Sequence, residues 1–170
     1  MTERTLVLFK PAPQTISPQS YAADSLIAKT ETLANAHGLK IVERLGVTMT
    51  PAILATLYKG LGERHMGATI AHMNSFALPI YIYEGEYAIH RMSIQVGENP
   101  NPALCLNGTL RKEWWERTRD CHVTHDLGWN GIDLGDGFRY WPNFLHCSRS
   151  PAEYAEQYAV LNANRIVEVH

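Results

Sequence analysis

The sequence has 170 residues, of which 45% are hydrophobic and 19% are charged. This composition is typical of a folded globular protein and excludes a disordered or collagen-like chain. The formal net charge of −2 lacks the basic excess that favours binding to nucleic acids or anionic membranes, so neither is predicted as a partner. Residues 1–170 are predicted to form a single domain.

The sequence predicts a cytoplasmic protein. Its longest apolar run, residues 76–83, contains Pro79 and is far shorter than the roughly 20 residues that a membrane-spanning helix needs. Residues 1–9 lack the pattern of a secretory signal. The 3 cysteines are an odd number with wide spacing, which indicates free thiols in a reducing compartment.

Hydrophobic periodicity predicts strands that alternate with helices. In chain order the predicted elements are a strand at 6–9, a helix at 21–37, a strand at 39–48, helices at 51–60 and 68–73, a strand at 78–83, a helix at 87–96, a strand at 145–147 and a helix at 151–161. Pro11 and Pro13 end the first strand, and Gly38 ends the first helix. This order favours an α+β fold, an antiparallel sheet with helices on one face.

One segment, residues 112–142, is predicted to be a Trp-rich insertion. All 4 tryptophans lie between residues 114 and 141, and neither a helical nor a strand period is visible there. A long irregular stretch inside a compact domain is often functional. Two interpretations stay open, a lid that closes over a site and a packing or oligomer contact.

Four short motifs lie far apart in the sequence. They are Lys-Pro at 10–11, Gly-Glu-Asn-Pro at 97–100, Gly-Thr-Leu-Arg at 108–111 and Asn-Phe-Leu-His-Cys-Ser at 143–148. In this order, and on these elements, they resemble the motifs of the nucleoside diphosphate kinase family. Met-Asn-Ser at 73–75 and Glu-Gly at 84–85, on either side of the third strand, match as well. The resemblance covers nearly the whole chain apart from residues 112–142.

The resemblance implies a ferredoxin-like βαββαβ sheet and a phosphotransferase that moves the γ-phosphate of a nucleoside triphosphate through a phosphohistidine. His146 would be the nucleophile, because a neutral imidazole is nucleophilic and its phosphoramidate is labile enough to pass the group on. Lys10 and Arg111 would be the catalytic cations, with Mg²⁺ bridging the phosphates. The nucleotide-binding residues implied are Tyr58, His65, Arg91, Asn99, Asn143 and Ser148. The family also implies a homo-oligomer.

The same residues have ordinary structural explanations. A histidine on an apolar strand is usually a core residue whose hydrogen bonds are satisfied. Lys10 and Arg111 could be solvated charges or surface ion-pair partners, which contribute little to stability. Tyr58 could pack in the core, and Asn143 could cap a turn.

Some positions depart from the family's pattern. Ser93 stands where the family has a phosphate-binding arginine, and Arg91 is the nearest arginine. The region of the base-stacking aromatic offers only His65 or Met66. Gln157 stands where the family has the carboxylate that supports the catalytic histidine.

Three functions therefore stay open. They are a phosphotransferase specialised in its substrate, a nucleotide-binding module with little or no kinase activity, and an enzyme of other chemistry on the same fold. The last would act on a nucleotide or another small molecule, and it would need a nucleophile or base other than His146. The insertion offers candidate carboxylates at Asp120, Asp126, Asp133 and Asp136. No protein metal site is predicted, because Cys121, His122 and His125 lack the spacing of strong zinc sites.

Overall fold

The computed structural model describes residues 2–11, 23–118, 132–136, 138–140 and 143–166. In chain order its elements are β1 (Thr2–Phe9), α1 (Ala23–Ala36), β2 (Lys40–Thr48), α2 (Pro51–Leu57), α3 (Glu63–Met73), β3 (Ala77–Glu86), α4 (Ala88–Val96), a 3₁₀ turn (Pro102–Leu104), α5 (Leu110–Thr118), β4 (Ile132–Gly135), β5 (Phe138–Tyr140), β6 (Leu145–Cys147) and α6 (Pro151–Ala163).

Four strands form one sheet in the order β2-β3-β1-β6, and all of its neighbouring strands are antiparallel. The central strand β1 places Leu8 opposite Ile80 of β3 on one side and His146 of β6 on the other. The backbone N–H of Lys10 continues this pairing with a 3.0 Å hydrogen bond to the carbonyl of Phe144. This strand order confirms the predicted α+β, ferredoxin-like fold class.

Helices cover both faces of the sheet, so the expectation that they lie on one face is wrong. Successive side chains of a strand point to opposite faces. In β1, Val7 and Phe9 pack in a core with residues of α1, α4 and α5, whereas Leu6 and Leu8 pack in a second core with residues of α2, α3 and α6. All four side chains are buried. A continuous apolar run of this kind is typical of a strand that is covered on both sides.

Helix α5 occupies part of the segment that was predicted to be irregular. Thr109 caps its first turn, because its side-chain oxygen accepts a hydrogen bond from the N–H of Lys112 at 3.4 Å. Trp114 and Trp115 are buried in this helix. The strands β4 and β5 form a second, two-stranded sheet. The prediction of irregular structure is therefore wrong for residues 112–118 and for these two strands, and residues 119–131 and 141–142 lie outside the described residues.

Other helix boundaries differ by a turn or less, apart from α3. It begins at Glu63 rather than at residue 68, whereas α2 ends at Leu57 rather than at residue 60. Residues 21 and 22 of the first predicted helix lie outside the described residues. Within the described part of the chain, no helix is long and apolar enough to cross a membrane.

After α6 the chain returns to the outer edge of β2. Arg165 forms an isolated antiparallel bridge with Val47, and the N–H of Ile166 donates a 2.7 Å hydrogen bond to the carbonyl of Gly46. The other edge of the four-stranded sheet is β6, which has only 3 residues. Both edges are thus short or partly paired.

Candidate active site

A cavity of about 600 Å³ opens where β1 ends. Six of the predicted site residues line it, namely Lys10, Tyr58, His65, Arg111, Asn143 and His146. They come from widely separated parts of the sequence. The structure therefore brings together most of the residues that the sequence singled out.

The sheet register explains why Lys10 and His146 meet. His146 lies on β6 directly opposite Leu8 of β1, and Lys10 follows two residues later. Asn143 lies just before β6, and Arg111 lies in the first turn of α5. Tyr58, at the C-terminal end of α2, also lines the cavity.

The imidazole of His146 is largely enclosed, since 13% of its side chain is exposed. Its ring lies 5.0 Å from the ring of Tyr58, measured between centroids. Burial lowers its pKa to about 3, with Lys10 and Arg111 acting in the same direction. The ring is therefore neutral near pH 7 and keeps the lone pair that a nucleophile needs.

Lys10 is a buried basic residue that lines the cavity. Its ammonium donates a 2.7 Å hydrogen bond to Oδ1 of Asn143 and lies 5.2 Å from the centre of the Tyr58 ring. Burial, together with the positive charge of Arg111, holds its pKa well below the ordinary value of a lysine. An anion in the cavity would oppose both effects and stabilise the charged ammonium.

Arg111 is 5% exposed, and its hydrogen bonds to the described residues all go to carbonyl groups. Its guanidinium donates to Gly97 at 2.6 Å, to Asn99 at 3.2 Å and to Leu145 at 2.8 Å. Its Nε atom is buried and has no hydrogen-bond partner among the described residues. The guanidinium is thus held rigidly by neutral carbonyl groups, and no carboxylate of the described residues forms an ion pair with it.

The described residues that line the cavity carry an excess of basic side chains. Among the described residues that line it, Lys10, Lys59, Arg111 and Arg149 are cationic, and Glu153 is the only carboxylate. An excess of one charge inside a cleft focuses the electric field and concentrates ions of the opposite sign. This arrangement suits a phosphate chain better than a neutral ligand.

Comparison with known proteins places this geometry in a structural class. No protein-family model matches the sequence, and no curated protein sequence matches it. Among solved structures, the nucleoside diphosphate kinase of Borrelia burgdorferi with bound vanadate and ADP matches with a TM-score of 0.67 at 17% identity, over 99% of this chain and 93% of that chain. This chain has the nucleoside diphosphate kinase fold.

Two further solved structures agree. An NDP kinase from Pyrobaculum aerophilum has a TM-score of 0.65 at 20% identity, over 94% of both chains. The Aquifex aeolicus nucleoside diphosphate kinase has a TM-score of 0.64 at 19% identity, over 98% of this chain and 100% of that chain. Because one fold can support different activities, the function of this chain has to be argued from its own cavity.

Three residues predicted to bind nucleotide do not line the cavity of this nucleoside diphosphate kinase fold. Asn99 stabilises a turn, because its side-chain Oδ1 atom accepts a 2.9 Å hydrogen bond from the backbone N–H of Asn101. Ser148 is buried and donates to Oε1 of Gln157 at 2.8 Å. Among the described residues, the Ser148 side chain is therefore linked to His146 through Gln157.

The structure places Arg91 away from the other predicted site residues. Its guanidinium donates a 2.7 Å hydrogen bond to the carbonyl of His37, in the turn that leads into β2. That turn lies at the end of the sheet where β1 begins, because Lys40 pairs with Glu84 and Glu84 pairs with Arg4. Arg91 thus lies at the opposite end of the sheet from Lys10 and outside the cavity.

Sequence reasoning missed Arg149 and Glu153, and it recorded Gln157 only as a departure from the family. Glu153 and Gln157 lie one turn apart on α6, and the amide nitrogen of Gln157 contacts the Glu153 carboxylate at 2.9 Å. The same amide nitrogen lies 3.0 Å from Nε2 of His146. The four-residue spacing between Glu153 and Gln157, together with Ser150 as the N-cap of α6, was the sequence pattern that could have identified these two residues.

The cavity offers little to a metal ion on its own. The described residues contain no cluster of three or more His, Cys, Asp or Glu side chains that could hold one. Mg²⁺ often binds through one or two carboxylates together with substrate phosphates and water. Glu153 fits that limited role, so any Mg²⁺ would be held mainly by the phosphates that accompany it.

Proposed function

We propose that the protein is a phosphotransferase that moves the γ-phosphate of a nucleoside triphosphate through a phosphohistidine at His146. One observation supports this proposal above the others: the imidazole of His146, neutral near pH 7, lines a cavity together with the buried basic side chains of Lys10 and Arg111. A neutral nucleophile beside fixed positive charge is the combination that phosphoryl transfer to a side chain requires.

In the first half-reaction a lone pair of the imidazole forms a bond to the γ-phosphorus. The bond between that phosphorus and the bridging oxygen breaks, and its electron pair leaves with the nucleoside diphosphate. The second half-reaction reverses these steps with a different diphosphate. Lys10 and Arg111 stabilise the negative charge that is spread over the phosphoryl oxygens. Mg²⁺, when bound with the nucleotide, would neutralise further charge on the phosphates.

The rest of the cavity would accommodate the nucleoside. Its wall is formed by the turn after α2, which includes Tyr58, and by His65 of α3. Asn143 uses its Oδ1 atom to hold Lys10, so we assign it to positioning this cation. We assign His65, which lines this part of the cavity, to contact with the base.

The proposal is tested by incubating the protein with Mg²⁺ and each γ-labelled nucleoside triphosphate. We expect an acid-labile, base-stable label on the protein that is lost in His146→Ala. The matched control is His90→Ala, an exposed histidine outside the cavity, which should keep the label. Absence of label with every nucleotide would contradict the proposal, and label that persists in His146→Ala would contradict the choice of nucleophile.

A nucleotide-binding protein with little or no kinase activity is the second candidate. The position of Arg91 favours it, because a cation expected at the phosphates lies outside the cavity. Calorimetric titration separates the two candidates. Micromolar nucleotide binding without any label on His146 would favour the binding protein.

A further inference from the structure

The amide of Gln157 has a fixed orientation against His146. This side chain is 1% exposed, and its nitrogen contacts the carbonyl of Leu57 at 3.1 Å and the carboxylate of Glu153 at 2.9 Å. Both of these groups can only accept hydrogen bonds. The amide nitrogen, rather than the amide oxygen, must therefore face them, which excludes the flipped orientation.

This orientation determines which nitrogen of His146 carries the proton. The Gln157 amide nitrogen lies 3.0 Å from Nε2 of the ring, and an amide nitrogen is only a donor. An N–H on Nε2 would point at a nitrogen that cannot accept a hydrogen bond, so the proton of the neutral ring is on Nδ1, whichever of the three acceptors the two amide N–H groups are directed at. Nδ1 forms no hydrogen bond with any described residue, and the ring lines the cavity.

A proton on Nδ1 opposes nucleophilic attack through that nitrogen. The nitrogen that attacks phosphorus needs a free lone pair, whereas an N–H group can only donate a hydrogen bond to a phosphate oxygen. Nε2 has the lone pair, but the Gln157 amide lies against it. In this tautomer Nδ1 can donate a hydrogen bond to a phosphate oxygen but cannot attack the phosphorus.

Glu153 lies where it can stabilise the tautomer of His146 that reacts, the one with its proton on Nε2. Its Oε1 atom lies 4.0 Å from Nε2 of His146. The Gln157 amide has two N–H groups for three nearby acceptors, namely Leu57, Glu153 and the ring, so the ring is the acceptor that it can give up. If Nε2 carried the proton, a small rotation would bring it within hydrogen-bond distance of the Glu153 carboxylate.

We propose that Gln157 is a positioning residue that keeps His146 in the Nδ1–H form, and that phosphoryl capture requires the proton to move to Nε2, where Glu153 accepts its hydrogen bond. One proton passes from Nδ1 to water and another reaches Nε2 from water, so the ring stays neutral. The rate consequence rests on the proposed function, whereas the position of the proton does not.

The test reads the proton position directly. In two-bond ¹H–¹⁵N spectra of the ¹⁵N-labelled protein at pH 7, assigned with His146→Gln, we expect His146 to show a protonated Nδ1 and an unprotonated Nε2. Gln157→Met removes the amide and should move the proton to Nε2. Gln95→Met, a second buried glutamine changed to the same residue on α4, is the matched control and should leave the spectrum of His146 unchanged.

The rate of labelling from γ-labelled triphosphate is measured in the same proteins. Gln157→Met should label about tenfold faster than the wild type, which is the upper end of the scale for one hydrogen bond between uncharged groups. Glu153→Gln in the Gln157→Met background should remove that gain. Equal rates in Gln157→Met and the wild type, with the proton moved, would overturn the link between proton position and capture.

The wild-type spectrum keeps the proposal testable if Gln157→Met fails to fold. A wild-type Nε2–H form would overturn the proposal, even if the protein labels rapidly and the proposed function stands. The expected proton positions without label in any variant would support the positioning role and refute the proposed function. The two failures are therefore distinguishable.

Discussion

Lowering the pH from 7 to 5 is expected to destabilise the protein by about 4 kcal/mol, because two enclosed histidines stay neutral in the folded state. Burial, with Lys10 acting in the same direction, lowers the pKa of His146 to about 3 and that of His72 to about 4. In the unfolded chain both rings have a pKa of about 6.5. Below that pH the unfolded state takes up protons that the folded state does not bind, so the free energy of unfolding falls.

The magnitude follows from the gap between the two pKa values. Between pH 7 and 5 the unfolded ring gains most of a proton, and each unit of pH below about 6.5 contributes about 1.4 kcal/mol, so each histidine contributes about 2 kcal/mol. Most carboxyl groups ionise below this window. Urea denaturation at pH 7 and pH 5 measures the change in the free energy of unfolding.

Two variants test whether the pH dependence of the free energy of unfolding comes from these two histidines. His146→Gln and His72→Gln should each lose about half of the pH dependence, and the double variant should lose nearly all of it. A double variant that is destabilised by acid as much as the wild type would refute the reasoning. The loss of stability would then have to come from groups other than these two rings.

Three other changes test the site and the core. Lys10→Met should weaken nucleotide binding about 10- to 100-fold in calorimetric titration, since it removes a charged hydrogen-bond donor, and should raise the pKa of His146 in NMR titration. Arg91→Ala should leave the nucleotide Kd within about twofold of the wild type, because surface changes away from a site have small effects. A larger effect would show that Arg91 does reach the ligand. Gln95→Met should stabilise the protein by about 1–3 kcal/mol in thermal denaturation, because both polar atoms of the buried Gln95 side chain have no hydrogen-bond partner among the described residues. No gain in stability would mean that this amide is satisfied in solution.

The sequence predicted the strands of the sheet well, because a buried strand is visible in the sequence as a short run of apolar residues. The run Leu6 to Phe9 is apolar on both faces, and the prolines after Lys10 end it at the cavity. Pairing of this strand with the strand that contains His146 then follows from the family resemblance. Lys10 and His146 were predictable for that reason.

The position of Arg91 was not predictable by counting along the sequence. Tyr87, just before α4, adopts the left-handed conformation with φ 52°, and this backbone choice sets where the helix begins and which way its side chains point. A non-glycine residue rarely adopts that conformation, so no sequence rule anticipates it. The number of residues along the chain identifies a position on the helix, but it does not give the direction in which the side chain at that position points.

The hydrogen bonds of Gln157 were hidden for a different reason. Its partners belong to α2, β6, the residue after β6 and α6, and they meet only when the tertiary structure forms. The α5 helix, in contrast, did have a local signal in Thr109, a good capping residue. The two tryptophans that follow it drew attention to an insertion instead.

The return of the chain to the edge of β2 limits how this sheet could grow. Backbone groups on an open edge can pair with a strand from another molecule. Arg165 and Ile166 already occupy that position opposite Gly46 and Val47. At this edge, intermolecular extension of the sheet is thereby restricted to the first half of β2, and a chain truncated after α6 would expose the whole edge of β2 to self-association.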